Sequence, residues 1–309
     1  MNSLRSPLSF PILLGLSLAC FSFAGAAFAD DDQDDGDGRV WEVKPDVLVQ
    51  IELVSGDIEI KAWDRSEVRL KIDGDDLDAL DIDGGSGRVS IRTTGNRRGA
   101  LEWLANGVNV DVELSVPVGS RIEATTTNGQ IKTEGVKGTL DLNSANGSID
   151  VRGGASEARL ETINASIDFE GRESRVDART INGSIDLEGV AGELFASTIS
   201  GSIRVEAGLL ERIEMKTLSG TIELEGQLAP RARATIKSFS GGVRLELPSD
   251  TSARFDIQSF SGGIRNELET TESRSGGSGG RNLEFSTADG DARVSIESFS
   301  GGVEIRKAD

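Results

Sequence analysis

The groups in this chain whose types and spacing suit chemistry are carboxylates. Asp150, Asp168 and Asp186 recur every 18 residues, and if the fold brought them to one side they could hold Ca²⁺ or grip a sugar through charged oxygens. Exposed acids beside Arg152 and Arg179 can equally splay into water, and that plainer reading is favoured. A second acidic group, Asp31, Asp35, Gly36 and Glu42, falls on the spacing of a calcium-binding helix-loop-helix loop, although Gln33 replaces an expected acid or Asn. No helical pattern flanks it, so the run Asp30–Gly38 reads as a charged flexible linker. Paired carboxylates are also the equipment of a glycosidase. Here every acid falls in a repeated column or in the linker, which argues against an enzyme.

Other catalytic chemistry is thin. Histidine and tyrosine are absent and Cys20 is the only cysteine, which removes Ser-His and Cys-His nucleophiles and the commonest transition-metal ligand. The formal charge is −19, and nucleic acid is a poor partner for so acidic a chain because its binding depends on neutralising phosphates. No cofactor is expected.

The first 29 residues read as a signal peptide. Arg5 gives the positive start, Leu8 to Phe23 the apolar stretch, and Ala27-Phe28-Ala29 a small-x-small cleavage site. Cleavage there leaves 32 basic against 52 acidic residues, a net −20, and no thiol. A lipoprotein signal at Cys20 is the rival, disfavoured because the usual Leu three residues earlier is missing. No later apolar run approaches membrane-spanning length. The expectation is a periplasmic, cell-surface or extracellular protein.

The elements that must position the carboxylates come from periodicity. From Val40 to Val118, stretches such as Asp57-Ile58-Glu59-Ile60-Lys61 alternate with period two, as half-buried strands do. Asp76 to Asp83 and Ala100 to Asn106 read instead as short turns or helical pieces. Beyond Ser120 one phrase recurs: Thr127-Asn128-Gly129-Gln130-Ile131, Ala145-Asn146-Gly147-Ser148-Ile149, then copies around Asn164 and Asn182, each 18 residues on. Copies ending at Ile203, Ile222, Val243 and Ile264 follow at steps of 18, 19, 21 and 21, and Phe299-Ser300-Gly301-Gly302-Val303 comes last. A fixed short period signals a repeat architecture.

Each copy carries an in-out-in pattern. Apolar columns run through Ile122, Leu140 and Ala158, through Ala124, Leu142 and Leu160, and through Ile149, Ile167 and Ile185, with polar residues between them. Gly153, Gly171, Gly189 and Gly226 mark a second corner. The sequence therefore predicts an all-β protein, a β-solenoid of two-strand repeats of about 18–21 residues. A β-sandwich of Asn-Gly hairpins is the alternative. The solenoid is favoured because like stacks on like: Asn128 to Asn182 as an amide ladder, Thr162, Thr180, Thr198 and Thr217 as a hydroxyl ladder, Phe239 with Phe260 as an aromatic step. Where Ala165 breaks the glycine column, Asn164 is expected to take the left-handed conformation.

Remaining motifs have plain explanations. Turn chemistry accounts for the Asn-Gly repeats, Gly276 to Gly280 reads as a flexible insertion, and Trp41, Trp63 and Trp103 as packing residues rather than sugar platforms.

The Thr/Ile-Asn-Gly-x-Ile repeats, the opening Ser55-Gly56-Asp57-Ile58 with Ala62-Trp63-Asp64, and Val116-Pro117-Val118-Gly119 ahead of the repeats resemble the bacterial putative-adhesin family DUF4097. The resemblance covers about Val40 to Arg306. It implies a secreted or envelope-associated β-repeat protein with no catalytic residues to carry over. The Phe-Ser-Gly-Gly ending and the glycine-rich insertion depart from the pattern. The organisation expected is a leader over 1–29, a linker over 30–38, an N-terminal β region over 39–118 capping the stack, and repeats over 119–309. The function expected is an adhesin or envelope scaffold module with an unidentified protein or glycan partner, or else a cation- or glycan-binding module.

Overall fold

The computed structural model describes residues 38–74, 79–94, 109–172, 175–268, 270, 272–276 and 281–308. The expected leader, Cys20, nearly all of the acidic linker, Trp103, the proposed turn at 100–106 and most of the glycine insertion lie outside those residues. All 24 described strands join one sheet.

The strands are β1 (Arg39–Glu42), β2 (Leu48–Ser55), β3 (Ile58–Trp63), β4 (Glu67–Asp73), β5 (Leu80–Gly85), β6 (Arg88–Thr93), β7 (Asp111–Pro117) and β8 (Arg121–Asn128). Next come β9 (Ile131–Glu134), β10 (Thr139–Ser144), β11 (Ile149–Arg152), β12 (Glu157–Thr162), β13 (Ile167–Glu170), β14 (Arg175–Arg179), β15 (Ile185–Ser200) and β16 (Ile203–Ser219). The rest are β17 (Ile222–Ser240), β18 (Val243–Leu247), β19 (Ala253–Ser259), β20 (Ile264–Asn266), β21 (Glu272–Gly276), β22 (Arg281–Thr287), β23 (Ala292–Ser300) and β24 (Val303–Lys307). Of the turn or helical piece expected at Asp76 to Asp83, residues 76–78 lie outside the described residues and the last four belong to β5, a strand antiparallel to β6. Its apolar members Leu80 and Ile82 alternate with Asp81 and Asp83, and the cross-strand pairing overrides the turn-forming aspartates.

The solenoid prevails over the hairpin sandwich, since strands on either side of each Asn-Gly turn pair with the next coil and not with each other. Leu140 stands opposite both Ile122 and Ala158, and Ile149 opposite both Ile131 and Ile167, all in parallel register. Like therefore stacks on like at about 4.8 Å. Parallel pairing with a constant step keeps every inward column inward, and Ile131, Ile149, Ile167, Ile185, Ile203 and Ile222 are wholly buried.

The stacked rows hold as expected, with two changes of detail. Asn146, Asn164 and Asn182 each donate from Nδ2 to the Oδ1 of the preceding Asn, at 2.9, 2.8 and 3.0 Å. The threonine hydroxyls do not bond one another. Thr162, Thr180, Thr198 and Thr217 each donate to a turn carbonyl of the coil before, at 3.0–3.2 Å, so these buried hydroxyls tie each turn to its neighbour. Asn164 is not left-handed. Among described non-glycine residues only Arg231 and Ala288 have positive φ. At Gly147 there is no room for a side chain, since a Cβ there would lie 1.7 Å from the carbonyl oxygen of Gly129, whereas the next coil holds Ala165 at the same place.

The second corner also differs. In β15, β16 and β17 the chain runs through it as one strand of 16, 17 or 19 residues, bent where the register shifts between neighbours.

At both ends the coils stack out of sequence order. β2 lies between β6 and β8, all parallel, and β3 between β7 and β9. At the other end β23 inserts between β17 and β19, and β24 between β18 and β20. The last phrase of the sequence thus occupies the penultimate place in the stack. β22 and β21 then close that edge by antiparallel pairing, which leaves fewer unpaired backbone groups.

Candidate functional site

The columns predicted to carry acids are where the register puts them. Asp150 pairs with Asp168 and Asp168 with Asp186 on β11, β13 and β15. Arg152 lies 3.3 Å from Asp150, and the row ends at Arg204. Burial, with Asp186 and Asp150 on either side, raises the pKa of the central Asp168 carboxyl above the ordinary aspartate value. No three acidic or sulfur side chains among the described residues gather in a way that could hold a metal ion.

The sign of that shift gives a test. An acid whose folded pKa is raised binds its proton more tightly in the fold, so stability is lost as pH rises between the ordinary and the raised value. Asp168→Asn should therefore stabilise at pH 7, by about 0.5 kcal/mol for a relieved like-charge cross-strand contact. The gain should vanish at pH 3, below the usual aspartate pKa. Thermal melts at the two pH values check this, and a variant no more stable than the parent at pH 7 would refute the repulsion. A calcium-dependent rise in the parent's melting would instead make the row a cation site.

The two described tryptophans hold structural places. Trp63 donates from Nε1 to the Glu67 carbonyl at 2.8 Å, with the Arg65 and Arg69 guanidiniums 5.0 and 5.3 Å from its ring centre. Trp41 packs partly buried against the core.

A different row escaped the sequence reading. One residue before the Asn or Ser of each turn stand Ile163, Ile181, Ile199, Leu218, Phe239, Phe299 and Phe260, every one large, apolar and 41–59% exposed. The first two coils have Thr127 and Ala145 there. The register places the seven on successive coils, because each follows a buried Ser or Thr that is locked in the ladder. Phe299 stacks between Phe239 and Phe260 with centroids 4.7 and 4.8 Å away. The expected step of Phe239 onto Phe260 is thus filled by a third ring that arrives from the end of the chain.

At this end the row borders a shallow groove of about 720 Å³ lined by Lys216, Leu218, Lys237, Phe239, Phe260 and Phe299. Both cations are engaged, Lys216 with Glu214 and Lys237 with Glu297 at 2.9 Å. The signal was present in the sequence. The in-out alternation makes this an outward position, and an outward position filled by Ile, Leu or Phe seven times breaks the pattern. The hydroxyls that line this groove, Thr198, Thr217, Ser238, Ser259 and Ser298, donate to backbone carbonyls, as does Ser156 in the depression of about 640 Å³ at the second corner, beside Gly153, Gly171, Glu170 and Glu188.

What the fold and this face define is a parallel β-solenoid with an outward-facing apolar edge. The sequence profile of the Toastrack family, DUF4097, matches residues 42–306, and the chain belongs to that family. No curated protein matches significantly. Among solved structures, a "putative cell adhesion protein" from Clostridium sporogenes is similar at 11% identity, covering 88% of this chain and 99% of its own, TM-score 0.23. A "putative lipid binding protein" from Parabacteroides distasonis is 13% identical, covering 88% and 96%, TM-score 0.49. A "putative adhesin" from Bacteroides fragilis is 10% identical, covering 87% and 96%, TM-score 0.38. Among the described residues no helix is long and apolar enough to cross a membrane.

Proposed function

We propose that this chain is an exported, non-enzymatic adhesin-type or envelope scaffold module that docks a partner along the strand face edged by its apolar row. The observation that carries this reading is the row itself. Seven half-exposed Ile, Leu and Phe side chains on successive coils make a continuous apolar strip, and contiguous exposed apolar surface marks interaction sites. The rings narrow the partner. Phe299 has both faces covered by its neighbours and Phe239 and Phe260 one face each, so the three rings offer mainly edges, which suit an apolar protein surface better than a flat-stacked sugar. An envelope protein is therefore the favoured partner and a glycan the second. The expected leader agrees with export, and the absence of histidine and tyrosine agrees with binding without turnover.

The test uses the triple variant Phe239→Ser, Phe260→Ser, Phe299→Ser. These side chains are outward, so the fold should be retained with a melting temperature lowered by a few degrees for the two lost ring stacks, while retention of the purified chain on washed bacterial envelopes should fall at least tenfold. Equal retention of variant and parent would remove the row from the function. Release of soluble fragments from envelope polysaccharide by the parent would make the protein an enzyme instead.

A further inference from the structure

A second row lies on the same strands, at the end far from the apolar edge. In this column the middle coils alternate in sign: Glu157 is opposite Arg175, and Arg175 reaches Glu157 at 3.8 Å and Glu193 at 3.4 Å. The next four strands break that alternation. Arg212 stands opposite Arg233, Arg233 opposite Arg293, and Arg293 opposite Arg254. All four are exposed. Arg212 lies 5.8 Å from the Phe195 ring centre, and none of the four has an ion-pair partner among the described residues.

Such a row is costly to the fold. Like charges directly opposite on adjacent strands repel, and the alternation one coil away shows how the same column is neutralised elsewhere. Abundance does not explain it in a chain with 33 basic and 52 acidic residues. Nor does sequence proximity, because Arg293 joins the row only through the insertion of β23 between β17 and β19. All four are arginine, the side chain whose planar fork grips carboxylate or phosphate through two parallel bonds.

We propose that Arg212, Arg233, Arg293 and Arg254 form a docking track for an extended polyanion, a linear polymer bearing carboxylates or phosphates. Four cations spaced at about 4.8 Å span about 14 Å, on an open face rather than in a pocket. A small anion would engage one or two of them, whereas a polymer engages the whole line. A lipid surface fits poorly: the apolar row lies six residues further along each strand, about 20 Å away, and Glu214 and Asp256 face outward beside the arginines. This site is independent of the apolar row, and either can fail alone.

The experiment measures binding of the purified chain to polygalacturonate and to inorganic polyphosphate at 50 and 200 mM salt, which separates carboxylate from phosphate sources. At least one polymer should bind, more weakly at the higher salt. Arg233→Gln with Arg293→Gln should lower affinity about tenfold and reduce the logarithmic salt slope by about two, the counterions no longer released. Arg175→Gln, in the same column but already paired, should bind like the parent, and circular dichroism melts verify that all variants fold. The proposal is overturned by binding to neither polymer, by an equal loss in Arg175→Gln, or by an unchanged salt slope. It is equally overturned if anionic phospholipid vesicles bind and the polymers do not, or if sedimentation shows that the arginines act in self-association.

Discussion

Ile185→Lys abolishes the cooperative thermal transition of this protein. Ile185 opens β15, is wholly buried, and stands in register between Ile167 and Ile203. No carboxylate shares that inward column, so the ammonium would sit unpaired among aliphatic side chains or drag the strand outward. A one-residue slip cannot rescue it, since that would turn every inward residue of the coil to solvent. The expected loss is at least about 4 kcal/mol, the range reserved for a buried unpaired charge or its equivalent. In a stack stabilised by nearest-neighbour contacts the damage should be worst around β13 to β16. Thermal melts followed by far-ultraviolet circular dichroism read the global loss, and hydrogen exchange reads its location. An unchanged melt would mean that the inward register assigned to this column is wrong.

Removal of residues 292–309 should be nearly as severe, although it takes only the end of the chain. In a stack built in sequence order, a terminal coil could be lost with little effect on the others. Here β23 and β24 lie inside the stack, and they carry Val294, Ile296, Val303 and Ile305, all buried. Burying each contributes about 1.5–3 kcal/mol before the entropy of ordering the segment is subtracted. Truncation also unpairs β17 and β18 on one side and β19 and β20 on the other, exposing strand edges that invite aggregation. The truncated chain should melt at a lower temperature, bind a hydrophobic dye and aggregate, and a peptide covering 292–309 should partly reverse these effects when added in trans. One alternative has a distinct signature. If β19 and β20 closed directly onto β17 and β18, Phe260 would stack on Phe239, and the truncated protein would keep a sharp transition and ignore the peptide. That outcome would show the inserted coil to be dispensable.

Much of this architecture was legible in the residues. The 18-residue step and the in-out alternation favour stacked coils over a hairpin sandwich, because only a stack brings Asn128, Asn146, Asn164 and Asn182 into one hydrogen-bonded line. The role of the threonines was not legible, since a hydroxyl can donate equally to a neighbour in its column or to a backbone carbonyl. The reason for glycine at Gly147 was not legible either, since it arises from the approach of the Gly129 carbonyl, a distance that exists only once two turns are stacked. Among candidate sites, the aspartate row was placed correctly in register. The apolar row is not legible from residue type, since Ile, Leu and Phe are core formers by type; only their parity in the repeat puts them outside.

The sequence by itself determined an all-β repeat with named inward columns and favoured the solenoid, since a constant step stacks like on like, while the parallel pairings of the structure exclude the hairpin sandwich. Only the tertiary structure decided the order of the terminal coils, and with it the row of three phenylalanine rings and the row of four arginines. The repeated phrases ending at Val243, Ile264 and Val303 are nearly equivalent in sequence, so any of them could stack on any other by local preference. Their order is fixed by the antiparallel pair β21 and β22, which folds back on β19 and covers its outer edge, leaving the place between β17 and β19 for the last coil.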